Sequence, residues 1–200
     1  MAHPNFERAQ HYARKRMERE LPSTLYYHSI DHTFIDVLPA AERLAALEGV
    51  TGEPLLLLRT AVCYHDIGFV EQHDHHETIS VRIATQVLPR FSYRPEQIDI
   101  ISAIIMATRL PQSPHTMLEN IMADADLDML GREDFLTGCF ALRAELAAFG
   151  MLTTDTEWYQ RQIDFLRSHR YFTSAAQNLR DVQKQRNIRT LVKLLPVRLD

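Results

Sequence analysis

Glycine is scarce in this chain, with six residues in 200. No segment alternates apolar and polar residues over the length of a convincing strand, which argues against a sheet architecture. Cysteine is scarcer still. Cys63 and Cys139 each sit in an apolar helical pattern and neither belongs to a CxxC pair, so both read as structural thiols in a reducing compartment. No apolar run approaches the length of a membrane span. The first twenty residues, MAHPNFERAQHYARKRMERE, are charged and lack the apolar stretch of a signal peptide; a cytoplasmic protein is the expectation. The formal net charge of −4 provides no general basic field for nucleic acid. There is no Walker-type glycine loop, aromatic RNA-binding motif, internal repeat or low-complexity tract.

Helical periodicity runs almost throughout. A first helix is predicted over about residues 5–20. A second covers about Asp31 to Glu48, with Phe34, Val37, Leu38, Ala41, Leu44 and Ala45 on one face and Gly49 as its stop. Pro54 opens a helix at its first turn, where its missing N–H costs nothing. That helix, Pro54 to about Tyr64, is apolar nearly all round and belongs at the centre of a domain. Further helices are predicted from Glu77 to Leu88, from Pro95 to Thr108, from Ser113–Pro114 to about Leu130, and near 132–149, 156–169 and 174–195. Two hundred residues with 46% hydrophobic content suffice for one domain with a substantial core. The fold class expected is all-α, a single-domain helical bundle.

Three stretches place imidazoles or carboxylates where they are costly. YYHSIDHT carries His28 and His32 four residues apart. YHDIG ends the apolar run LLLLRTAVCY with His65 and Asp66. MADADLDMLG interrupts an apolar helix with Asp124, Asp126 and Asp128. Asp124 shares a helical face with Met117 and Ile121, and a carboxylate buried there needs a partner. His65, Asp66 and one histidine of the first stretch could meet it around a cation. Such a mixed nitrogen and oxygen shell suits a divalent ion: Mn, Fe, Co, Ni or Zn, with Mg also admissible. Each stretch alone is more often a set of satisfied buried hydrogen bonds. Their combination, each at the buried part of a helix, points to metal.

The order His, then His-Asp, then Asp resembles the HD-domain superfamily of metal-dependent phosphohydrolases. The likeness rests on YHSIDHT, AVCYHDIG, HETIS and DADLDMLG, between about Tyr27 and Gly131. The tail FLRSHRYFTSAAQNLRDVQKQRNI is similar to that of a bacterial branch of predicted HD phosphohydrolases. The resemblance implies an HD-type helical core over about residues 25–131, with C-terminal helices 132–200 packed on it. It implies His32, His65, Asp66 and Asp124 as ligands of one divalent ion; a second ion is not expected. His32 is preferred because HTFIDVL heads a helix, which leaves His28 as a supporting partner or substrate contact. Asp126 and Asp128 point away from Asp124 on a helix and are assigned solvent or capping roles. Within HDHHETIS, most of the neighbouring histidines are read as a solvated turn. His76 and Glu77 are set apart, because HE followed by a small residue recurs near HD active sites, and Glu77 is the candidate that orients an attacking water.

Phosphate chemistry also needs positive charge beyond the ion. Arg109, between an apolar helix and the loop RLPQSPHT, is the first candidate, with catalytic and substrate-binding roles beside Asp66 and Glu77. Arg180 and Lys184, on one face of the last helix, and His115 are further substrate-binding candidates. The reaction expected is hydrolysis of a phosphomonoester or phosphodiester of a nucleotide-like small molecule by metal-activated water. The alternative is a non-catalytic module that senses metal and nucleotide. Membrane and nucleic acid are not expected as partners, and a homodimer is compatible with the sequence.

Overall fold

In the computed structural model, which describes residues 3–195, the chain is helical and contains no strand among the described residues. Helix α1 covers Phe6–Glu20, its first turn closed by the Asn5 side chain, which accepts from the Arg8 N–H at 3.0 Å. A π-helical segment, His32–Val37, runs directly into α2, Leu38–Leu47. The Leu38 N–H reaches back five residues to the Thr33 carbonyl. The helix expected from Asp31 is therefore two windings in series, and the wider one carries His32. Such local insertions often mark functional positions.

Helix α3, Gly52–Tyr64, is the central element anticipated from its all-round apolarity. Leu58, Ala61, Val62, Cys63 and Tyr64 have no solvent exposure, and the Tyr64 hydroxyl donates to the Ala9 carbonyl of α1 at 3.0 Å. Helices α4, His76–Val87, α5, Pro95–Met106, and α6, Met117–Asp126, surround it together with α1 and α2. Each fully buried Leu, Ile or Phe stabilises this core by roughly 1.5–3 kcal/mol. Helix α6 begins at Met117 rather than at Ser113–Pro114, with Thr116 as its cap, and stops at Asp126. A separate 3₁₀ turn, Asp128–Gly131, follows.

Helices α7, Phe135–Ala148, α8, Asp155–Ser168, and α9, Ser174–Leu194, complete the chain. They form a second apolar cluster around Phe135, Cys139, Trp158, Ile163, Leu166, Ile188 and Leu191. Helix α9 joins the two clusters, since Ala175 and Ala176 at its start belong to the first. It lies against the 3₁₀ turn at Gly131, where a Cβ would stand 2.4 Å from Arg180 Cβ. The Asn187 amide then donates to the Leu130 and Arg132 carbonyls at 2.9 and 2.8 Å.

Gly68 has a comparable role beside the His65–Asp66 pair. Its N–H donates to Ser80 Oγ at 2.8 Å, and a Cβ there would lie 2.0 Å from the His76 carbonyl oxygen. The start of α4 can approach Asp66 because position 68 has no side chain. Gly68→Ala must push that backbone away, at a cost of about 1–3 kcal/mol. A lower urea midpoint checks this, and an unchanged midpoint contradicts it.

His169, at the end of α8, tests burial of another kind. Burial and the neighbouring Lys184 charge push its pKa down to about 4. The unfolded chain takes up this proton near pH 6.5, and the folded chain only near pH 4. The folded state therefore loses stability as pH falls through that window. Urea midpoints between pH 7 and pH 5 should fall less steeply in His169→Asn than in the wild type.

Candidate metal centre

Three helix ends meet beneath the surface. His32 opens the π-helical segment, His65 and Asp66 close α3, and Asp126 closes α6. His32, His65 and Asp66 are all buried, at 5%, 0% and 3% exposure. His65 Nε2 lies 3.2 Å from Asp66 Oδ2 and 3.4 Å from Asp126 Oδ1. His32 Nε2 lies 3.6 Å from Asp66 Oδ2 and 3.3 Å from Asp126 Oδ1. Two imidazole nitrogens thus face the same two carboxylate oxygens.

These separations are long for charge-assisted hydrogen bonds, which run at about 2.7–2.9 Å. Ligand atoms about 2.1 Å from a shared ion stand about 3.0–3.4 Å apart in octahedral or tetrahedral shells. The spacing fits the second case. His65 Nδ1 contacts the Val62 carbonyl at 2.8 Å, so it carries the proton, and the Nε2 of a neutral ring presents a lone pair. His65 Nε2 and Asp66 Oδ2 are buried and have no hydrogen-bond partner. Unpaired buried polar atoms are costly. His32 Nε2 and Asp126 Oδ1 pair at 3.3 Å, but the two unpaired atoms beside them call for a cation, and the residues present fit a divalent ion. Burial opposes ionising the groups, but opposite charges outweigh it. With no ion present, Asp66 and Asp126 push the His65 pKa up and favour a proton on its Nε2, while the imidazoles push both carboxyls below the usual range; a divalent ion would take the place of that proton and leave the ring neutral.

Asp124 is not in this group, a correction to the expected ligand set. Its oxygens accept from the Phe172 N–H at 2.8 Å, the Thr173 N–H at 2.8 Å and the Thr173 hydroxyl at 2.7 Å. It caps the start of α9. Two residues along a helix turn a side chain by about 200°, so Asp126 faces the histidines that Asp124 turns away from. Asp128 is likewise structural rather than solvated. Arg180 grips it through Nε at 2.7 Å and Nη2 at 2.8 Å, and Arg43 reaches it at 3.1 Å. Arg180 is thereby removed from the substrate-binding candidates. Lys184 is buried on the far side of the 169–173 connection, where it donates to the His169 carbonyl at 2.9 Å. His115 is exposed at the start of α6, the end opposite Asp126.

A cavity of about 650 Å³ opens onto Asp66 and Asp126. Arg109 and Glu77 line it, as does His28. The His28 ring stacks on Phe69 at 4.5 Å, and its Nδ1 meets Glu145 Oε1 of α7. Glu145 is fully buried and also accepts from the backbone N–H groups of Tyr27 and His28 at 2.9 and 3.0 Å. It pins the segment that delivers His32. His76, set apart from the solvated turn by its place in the HE pair, stands 3.5 Å from Asp66 Oδ1 and stacks on Phe69 at 3.9 Å. Arg161 and Gln162 of α8 add polar groups to the cavity, and Leu142, Leu146, Trp158 and Phe165 form its apolar wall. None of Glu145, Arg161 or Trp158 carries a motif that would mark it beforehand.

No protein-family model matches this sequence, and no curated protein matches it. Among solved structures, the chain is similar to the crystal structure of a predicted HD superfamily hydrolase from an uncultured Thermotogales bacterium. The two are 16% identical with a TM-score of 0.64, over 95% of this chain and 91% of the other. The protein has an HD-domain fold, all-helical as expected. No helix among the described residues is long and apolar enough to cross a membrane.

The two aspartates of α6 make separable predictions. Asp126→Asn should weaken metal binding about 10–100-fold or more, the range for disturbing a metal site. Asp124→Asn should keep full metal stoichiometry but lower the urea midpoint, because it weakens the cap of α9. Metal titration and urea denaturation of both variants check the pair of outcomes.

Proposed function

We propose that the protein is a metal-dependent phosphohydrolase acting on a small phosphoester, with His32, His65, Asp66 and Asp126 holding one divalent ion. The observation that carries this reading is the buried convergence of unpaired imidazole and carboxylate atoms at the base of a cavity lined by arginines. When bound, such an ion supplies an acidified water and polarises a phosphoryl oxygen. The chain's own residues supply the rest. The Val62 carbonyl fixes the His65 tautomer, and His76 steadies the outer oxygen of Asp66. Arg109 and Arg161 bring positive charge to an anionic substrate, and their forked geometry suits phosphate oxygens. Glu77, part of the same lining, would orient water and accept its proton. Trp158, Phe165 and the leucines beside them would take the uncharged part of the substrate and exclude bulk water. A nucleotide-like molecule suits a cavity of this size and mixed polarity.

The test is phosphate release from a panel of nucleotide mono- and diesters with Mn, Co, Ni, Mg or Zn. The proposal expects turnover with at least one ion, reduced more than about 100-fold in His65→Ala and in Asp66→Ala while both remain folded. Nucleotide and metal bound tightly without turnover would instead establish a sensor. Absence of any bound metal would overturn both.

A further inference from the structure

A second cavity, of about 400 Å³, lies between the end of α8, the 169–173 connection and the middle of α9. It shares no lining residue with the cleft at the metal centre. Its walls carry Arg167, Arg170, Lys184 and His169, with one carboxylate, Asp181.

The donors here outnumber their acceptors. Lys184 is 4% exposed, and its ammonium lies over the Tyr171 ring at 4.9 Å. It donates to the His169 carbonyl, and Asp181, half exposed, is 3.6 Å away. Lys184 Nζ also faces His169 Nδ1 at 3.3 Å. An ammonium has no lone pair to offer, so Nδ1 accepts and the ring proton sits on Nε2. That Nε2 is buried and has no partner among the described residues. Arg167 and Arg170 have no carboxylate or hydrogen-bond partner among the described residues either. Burial and the charge of Arg170 both push the Lys184 pKa down, against the pull of Asp181. Three cations and one carboxylate therefore line the pocket. The complement of such a surface is a compact ligand made of acceptors.

We propose that this pocket binds a phosphate group, at a site separate from the cleft and independent of metal. The group could arrive as inorganic phosphate or on a phosphorylated small molecule. The same connection gives its Phe172 and Thr173 N–H groups to Asp124, so the site borders the link between α9 and α6.

The experiment is calorimetric titration of the full chain, treated with EDTA, with inorganic phosphate and with a nucleoside monophosphate in chloride buffer. One metal-independent site per chain is expected for phosphate. The double variant Arg167→Gln/Arg170→Gln should weaken it about tenfold or more, with little change in urea midpoint because both side chains are exposed and unpaired. Arg109→Gln, in the cleft, should leave it intact. Equal affinity for the two probes would identify free phosphate as the ligand; a tighter nucleoside monophosphate, equally sensitive to the double variant, would identify a phosphorylated molecule. No binding in the wild type, unchanged affinity in the double variant, or loss in Arg109→Gln would overturn the proposal.

Discussion

Two imidazole nitrogens and two carboxylate oxygens face one another in the interior, all four between 3.2 and 3.6 Å across the imidazole–carboxylate pairs. Two of these atoms, His65 Nε2 and Asp66 Oδ2, have no hydrogen-bond partner, and buried polar atoms left so are expensive. The architecture around it is organised to hold it. Helix α3 carries His65 and Asp66 out of the densest part of the core, the π-helical segment turns His32 toward them, and α6 ends where Asp126 completes the group. Gly68 lets α4 close over the pair, and this brings His76 to Asp66. Each device shapes the position of a backbone terminus, and together they fix four side chains that are distant along the chain.

The other acidic residues near this centre show how the same problem is solved without an ion. Asp124 is satisfied by three donors from the start of α9, Asp128 by two arginines, and Glu145 by His28 and two backbone N–H groups. These three carboxylates tie the C-terminal helices to the core and make the cleft a joint product of both apolar clusters. Its floor comes from α3 and α6, and its apolar wall from α7 and α8. Against this background the unpaired atoms of His65 and Asp66 stand apart, since their neighbours show that the chain does satisfy buried charge elsewhere.

Much of this was legible beforehand. The helices and their order follow from periodicity and from Gly and Pro punctuation. The His65–Asp66 pair announces itself because it closes a wholly apolar helix. The choice between Asp124 and Asp126 does not follow in the same way. Helix α6 is buried on two sides, and Met122, four residues before Asp126, is as inaccessible as Ile121 beside Asp124. An apolar face identifies burial but not which neighbour it meets. Arg180 and Lys184 mislead for a related reason: charges on the last helix can close ion pairs or sink into a separate pocket as readily as face a substrate. Arg161 and Glu145 lie in helices with no motif, and only the packing of α7 and α8 against the core brings them to the site.

The account stands or falls on where an ion sits. The most direct measurement is anomalous diffraction from crystals grown with Mn, recorded at the metal edge. The predicted result is one strong peak within about 2–2.3 Å of His32 Nε2, His65 Nε2 and carboxylate oxygens of Asp66 and Asp126. A peak coordinated by Asp124, or a well-ordered centre in which Asp66 and His65 bond directly to each other with no ion between them, would contradict it.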